Sequence, residues 1–154
     1  MILKARWTIG IVVCLAIVLV ALLDMVGSVR PMSQSDSDGI VAAMAKLGVP
    51  TGNVKFMWLV GWRGRVGAKR GLCASYRVIS HTVTIPECYR DMIHDPIMHP
   101  TIAHELTHAD QSERMGAVLY LPVKIFCRDR LEAEAELVEM RILETLTERQ
   151  DALD

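Results

Sequence analysis

Apolar and polar positions alternate along this chain with several distinct periods, and each period predicts an element. Residues 7–23 (WTIGIVVCLAIVLVALL) form 17 consecutive positions without a charge, ended by Asp24. As a helix such a run would span roughly 25 Å, the short end for a bilayer core of about 30 Å. Residues 28–38 are polar and read as a linker. Ile40, Val41, Met44 and Leu47 then share one face of a short helix over 39–47, capped by the preceding Asp/Ser cluster and stopped by Gly48. A turn at 50–53 leads to a strand over 54–60 (VKFMWLV). Residues 61–71 carry four glycines and four basic residues, which predicts a solvated hairpin loop. The alternation over 76–85 predicts one strand with Ile79, Val83 and Ile85 on a common face, ended by Pro86.

Pro96 and Pro100 frame the entry to a helix that runs to Met115, with Gly116 beyond it. Residues 117–126 are apolar, contain Pro122 and fit no single period. A long helix over 128–149 buries Leu131, Ala135, Val138, Ile142 and Leu146. The order of elements is that of an α+β fold. The chain divides into an N-terminal membrane segment (1–27), a linker (28–38) and one domain (39–154).

Charge gives the membrane segment a direction. Lys4 and Arg6 precede the run, so the positive-inside bias holds the N-terminus in the cytoplasm and exports the chain beyond Asp24. The expectation is a single-pass protein of the cytoplasmic membrane, its C-terminal domain facing the outside or periplasm. A cleaved secretory signal is the competing reading, although Val26-Gly27-Ser28 makes a poor cleavage site. Over the whole chain 17 basic and 18 acidic residues nearly cancel and no basic block occurs, so nucleic acid is not an expected partner. Cys73, Cys88 and Cys127 match no metal-binding spacing. In an oxidising compartment Cys73 and Cys88 could pair, with three buried thiols as the alternative.

The chemistry concentrates in Thr101 to Asp110 (TIAHELTHAD). His104 and His108 are four apart, hence about 40° apart on one helix face, where two imidazoles can share a zinc ion at about 2.0–2.1 Å each. Glu105 lies about 100° round the helix, placed to act as catalytic base on water rather than as a ligand. A catalytic zinc needs a third protein ligand. Among the downstream carboxylates Glu132, Glu136 and Glu139 lie at i, i+4 and i+7 beside the buried stripe, while Glu134 points to the opposite side. Glu132 fits the metal, and Glu136, one turn on, fits a partner that orients a ligand His. His81, His94 and His99 read as structural or exposed.

His104-Glu105-Leu106-Thr107-His108, followed by a Glu-x-x-Ala-Glu over Glu132 to Glu136, resembles the gluzincin zinc metallopeptidases. His104 to Gln111 also resembles small peptidase-like domains of bacterial toxins and contractile injection systems. The resemblance spans roughly residues 76–142. It implies a zincin-like domain: a small sheet, an active-site helix and a second helix bearing the third ligand. It further implies Glu132 as that ligand and Glu136 at a ligand His, although the family's usual residue there is Asp. The strand over 76–85 would by analogy pair with an extended protein or peptide substrate. Zincins also supply a group that stabilises the oxyanion, and Tyr120, between the two motifs, is the candidate here, with Arg128 and Arg130 close by. The function expected is zinc-dependent peptide hydrolysis. The rivals are a zinc-binding assembly or interaction module that cleaves nothing, and a membrane-tethered structural domain without metal.

Overall fold

The computed structural model describes residues 28–152. The apolar run at 7–23, and with it the expected membrane segment, lies outside them. No helix among the described residues is long and apolar enough to cross a membrane.

Among the described residues, four strands, five α-helices and two 3-10 turns make an α+β fold. The strands are β1 (Val29–Pro31), β2 (Lys55–Leu59), β3 (Ser75–Arg77) and β4 (Thr82–Pro86). Their order across the sheet is β1-β2-β4-β3, with β2 and β4 parallel and both edge strands antiparallel to their neighbours. The helices are α1 (Gln34–Lys46), α2 (Gly61–Lys69), α3 (His99–Met115), α4 (Ala117–Phe126) and α5 (Arg128–Asp151). The 3-10 turns Glu87–Met92 and Pro96–Met98 lie between β4 and α3.

Central strand β4 is buried at every position, as a strand covered on both faces must be. Phe56, Trp58, Tyr76, Val83 and Ile85 from the sheet join Ile102, Ala103, Leu106 and Ala109 of α3 in one core. Burying side chains of this size is the main favourable contribution to such a fold, at about 1.5–3 kcal/mol each. α3 is thereby fixed against the sheet. Helix α5 packs along α3 more extensively than any other pair of elements meets.

Four sequence expectations are corrected. Residues 28–38 are not a linker: Ser28 accepts a hydrogen bond from Val60 N at 2.8 Å, β1 follows, and α1 starts at Gln34 with Ser33 as its cap. The polar composition reflects an edge strand and a helix start, both solvated. Residues 61–71 form helix α2 rather than a hairpin loop. Gly64 is there for proximity, because a Cβ on it would lie 2.3 Å from the Leu59 carbonyl oxygen. The single strand expected over 76–85 is a β3–β4 hairpin, with Tyr76 opposite Val83. Ile79 stands 92% exposed at its tip, and His81 takes a left-handed φ of 49°. Such a residue is costly outside glycine; here the ring is held at Nδ1 by Tyr76 Oη (2.8 Å). Finally, Cys73, Cys88 and Cys127 are free thiols, the latter two exposed, so they are neither paired nor buried together.

The close approach at Gly64 gives a test. In an ordinary helix interior Gly→Ala stabilises by up to about 1 kcal/mol. Gly64→Ala should instead destabilise by about 1–3 kcal/mol, because the methyl meets a backbone oxygen that cannot swing aside. Denaturant unfolding of the variant beside the parent measures the sign.

Candidate metal centre

Two elements deliver the site. α3 carries His104 and His108 one turn apart, their rings 4.9 Å apart at 80° to each other. α5 brings Glu132, whose Oε2 lies 3.3 Å from His104 Nε2 and 3.5 Å from His108 Nε2. The three ligand atoms lie within 4.8 Å of one another. For tetrahedral bonds of about 2.0–2.1 Å, neighbouring ligand atoms sit about 3.3–3.4 Å apart, so the spacing from Glu132 to each histidine is that of a zinc site.

Hydrogen bonding behind the rings determines which nitrogens are free. His104 Nδ1 lies 2.9 Å from Glu139 Oε2, and His108 Nδ1 lies 2.9 Å from Gln111 Oε1. The orientation of Gln111 is itself fixed, since its Nε2 donates to Leu131 O (3.0 Å) and Glu134 Oε2 (2.9 Å). Both partners can only accept, which assigns the ring proton to Nδ1 in each histidine. The two Nε2 lone pairs then point with a carboxylate oxygen at one spot. Three acceptors without a proton between them repel, and a bound cation removes that repulsion. The donor set, two imidazoles and a carboxylate, suits zinc.

Charge around Glu132 keeps it ionised. Burial works against the charged form, but the hydrogen bond from Arg128 Nε (2.9 Å) and the charge of that guanidinium outweigh it, holding the carboxyl below its ordinary range. Glu134 is likewise held low, first by Gln111 and then, against some burial, by Arg114.

Glu105 sits beside this cluster without belonging to it. Its Oε2 accepts a 2.6 Å hydrogen bond from the backbone N–H of Tyr76 on edge strand β3. Tyr120, on α4, has no exposed surface, and its hydroxyl has no partner among the described residues. Burial, together with the charges of Tyr76, Glu105 and Glu132, raises its pKa strongly, so it stays protonated and can donate. A buried, unpaired hydroxyl is costly, at about 1–3 kcal/mol, unless something not in the protein accepts from it. Its ring meets Tyr76 edge-on, with centroids 6.4 Å apart.

The structure thus brings together His104, His108 and Glu132, with Glu105 and Tyr120 at their margin. It does not bring Glu136 to a ligand histidine. Glu136 is exposed, and Glu139 occupies the place expected for it. Seven residues along a helix return to within about 20° of Glu132's direction and two turns further on, whereas four residues miss by about 40°. Glu134, expected to be an ordinary solvated carboxylate, bonds both Gln111 and Arg114. The sequence pattern does not single out Gln111; its place one turn after His108 is the available signal.

These contacts rank the outer residues. Glu139→Ala and Gln111→Ala should each weaken zinc binding about 10–100-fold, since each frees a ligand ring to turn. Glu136→Ala should leave it unchanged. Titration against a chromophoric chelator measures all three. The Glu134 carboxyl contributes stability in its ionised form, because its folded pKa is depressed. That contribution is present above the unfolded carboxylate range and is lost as pH falls through the folded value. Glu134→Gln should therefore lower the unfolding midpoint at neutral pH and approach the parent in acid. No protein-family model, curated protein or solved structure matches the chain.

Proposed function

We propose that the chain is a zinc-dependent peptidase of gluzincin type. One observation carries the reading: a carboxylate oxygen of Glu132 lies 3.3 and 3.5 Å from two histidine Nε2 atoms, and each ring's Nδ1 is engaged elsewhere. His104, His108 and Glu132 would hold zinc. When bound, the metal supplies Lewis acidity and lowers the pKa of a water to about 7.

The remaining steps belong to the chain's own groups. Glu105, adjacent on α3 and outside the ligand set, would serve as general base, accepting a proton from the attacking water and returning it to the departing amine. Its present bond to Tyr76 N holds the carboxylate at the β3 side of the site. Tyr120 donates its unpaired hydroxyl to the oxyanion as the carbonyl carbon becomes tetrahedral. β3, the sheet edge beside the site, offers its backbone to an extended substrate. That edge suits a peptide or protein substrate, and zinc is the expected cofactor.

A second reading, a zinc-stabilised interaction module, is favoured by the short Tyr76–Glu105 bond, which occupies the base. The two readings part at Glu105→Gln. In the peptidase this variant keeps about one zinc per chain, as the parent does, and loses nearly all hydrolysis of a casein or quenched-peptide substrate. In the module, zinc content and biological function both survive the change. His104→Ala empties the site in either case. Tyr120→Phe should lower kcat about 10²–10³-fold while KM changes little, the cost of removing one oxyanion donor. A parent protein that folds well yet retains no zinc would overturn both readings.

A further inference from the structure

Helix α4 carries an apolar face that the domain leaves uncovered. Val118, Leu119, Leu121, Ile125 and Phe126 are all exposed, Val118 to 84% and Phe126 to 81%. At about 100° per residue these five and Pro122 fall within an arc of about 160° that contains no charged residue. Tyr120 lies on the opposite side, buried against the metal centre. A surface helix ordinarily turns its apolar stripe to the core. α4 presents large apolar side chains outward as well, immediately beside the cleft.

We propose that this outward face of α4 seats in the apolar boundary of a lipid bilayer, so that the cleft is held at the membrane surface and the substrates are peptide bonds close to it. The proposal rests on reading residues 7–23 as a membrane span.

Three arguments select a bilayer. The first is the tether. Only Asp24, Met25, Val26 and Gly27 separate the apolar run from Ser28, which is already bonded into the sheet at Val60. Fully extended, that connection reaches roughly 17 Å. A domain of this size is roughly 35 Å across, so the tether is shorter than the domain and holds it close to the bilayer. The second is area. The arc exposes on the order of 600 Å², at the upper end of the apolar patches that soluble monomers carry. That falls short of the roughly 800 Å² each partner contributes to a standard protein interface. The third is chemistry. The arc offers no side-chain donor or acceptor, whereas protein interfaces carry about ten hydrogen bonds. An interfacial helix in lipid requires none from its apolar side.

The test uses nitroxide labels on the full chain, reconstituted in vesicles of phosphatidylcholine and phosphatidylglycerol. Four single-cysteine proteins are compared: one retaining only Cys14, and Leu119→Cys, Phe126→Cys and Gln150→Cys with the native cysteines changed to serine. Collisions with oxygen, which partitions into lipid, are compared with collisions with a water-soluble nickel complex. Labels at 119 and 126 should be reached several-fold more readily by oxygen than by nickel, and the label at 150 the reverse. Nickel-accessible labels at 119 and 126, with Cys14 in lipid, would overturn the docking while leaving the span intact. Nickel access at 14 as well would remove both. A lipid-exposed α4 with an aqueous Cys14 would support docking and remove the span. Labels at 119 and 126 shielded from both reagents would overturn the proposal in favour of a protein cover, either a second copy or residues 7–23.

Discussion

The packing of α3 along α5 is the constraint on which the rest of this protein depends. α3 is held against the sheet by Ile102, Ala103, Leu106 and Ala109, and so cannot turn. α5 meets it through Leu131, Ala135 and Ile142, where Ala135 has no exposed surface. A small residue at such a contact lets two helices approach closely. That approach carries Glu132 to the Nε2 atoms of both histidines. The same pair of helices also delivers Glu139 to His104 and the Leu131 carbonyl to Gln111. Ligands and the groups that orient them therefore come from one interface, and a shift of α5 would disturb all of them together.

Around that interface the polar groups form a nearly closed set. Each histidine has its Nδ1 engaged, Gln111 is held at three points, and Glu132 is tied at its second oxygen by Arg128. What stays open is the inward set of lone pairs, together with the Tyr120 hydroxyl. Open polar groups in a buried place are costly. Their concentration at one spot is the physical reason for reading it as a centre for a cation and an oxygen-bearing substrate. Glu105 differs from the ligands because its neighbour on α3 is the sheet edge, not α5.

α4 gives this small domain two unlike surfaces on one helix. Its inner side contributes Tyr120 to the cleft and its outer side is almost wholly apolar. Whatever covers the outer side also fixes the helix that holds Tyr120, so the two sides of α4 are mechanically linked.

The sequence by itself placed His104 and His108 on one helix face, singled out Glu132 to meet them, and determined the long helices, because those rest on helical period. An i, i+4 histidine pair faces one way in any helix, and the apolar stripe of α5 fixes which side Glu132 takes. Tertiary structure alone decided what depends on contact between distant segments. The parallel β2–β4 pairing split the expected 76–85 strand, since β4 must enter between β2 and β3, and His81 makes that turn with its ring held by Tyr76. A glycine-rich stretch became helix α2 because Gly64 fits against Leu59, a proximity that no local propensity records. Glu139 rather than Glu136 met His104 because the crossing of two helices selects the turn that touches. Local period is written residue by residue along the chain; the distance between two elements is set only when both are packed on the same core.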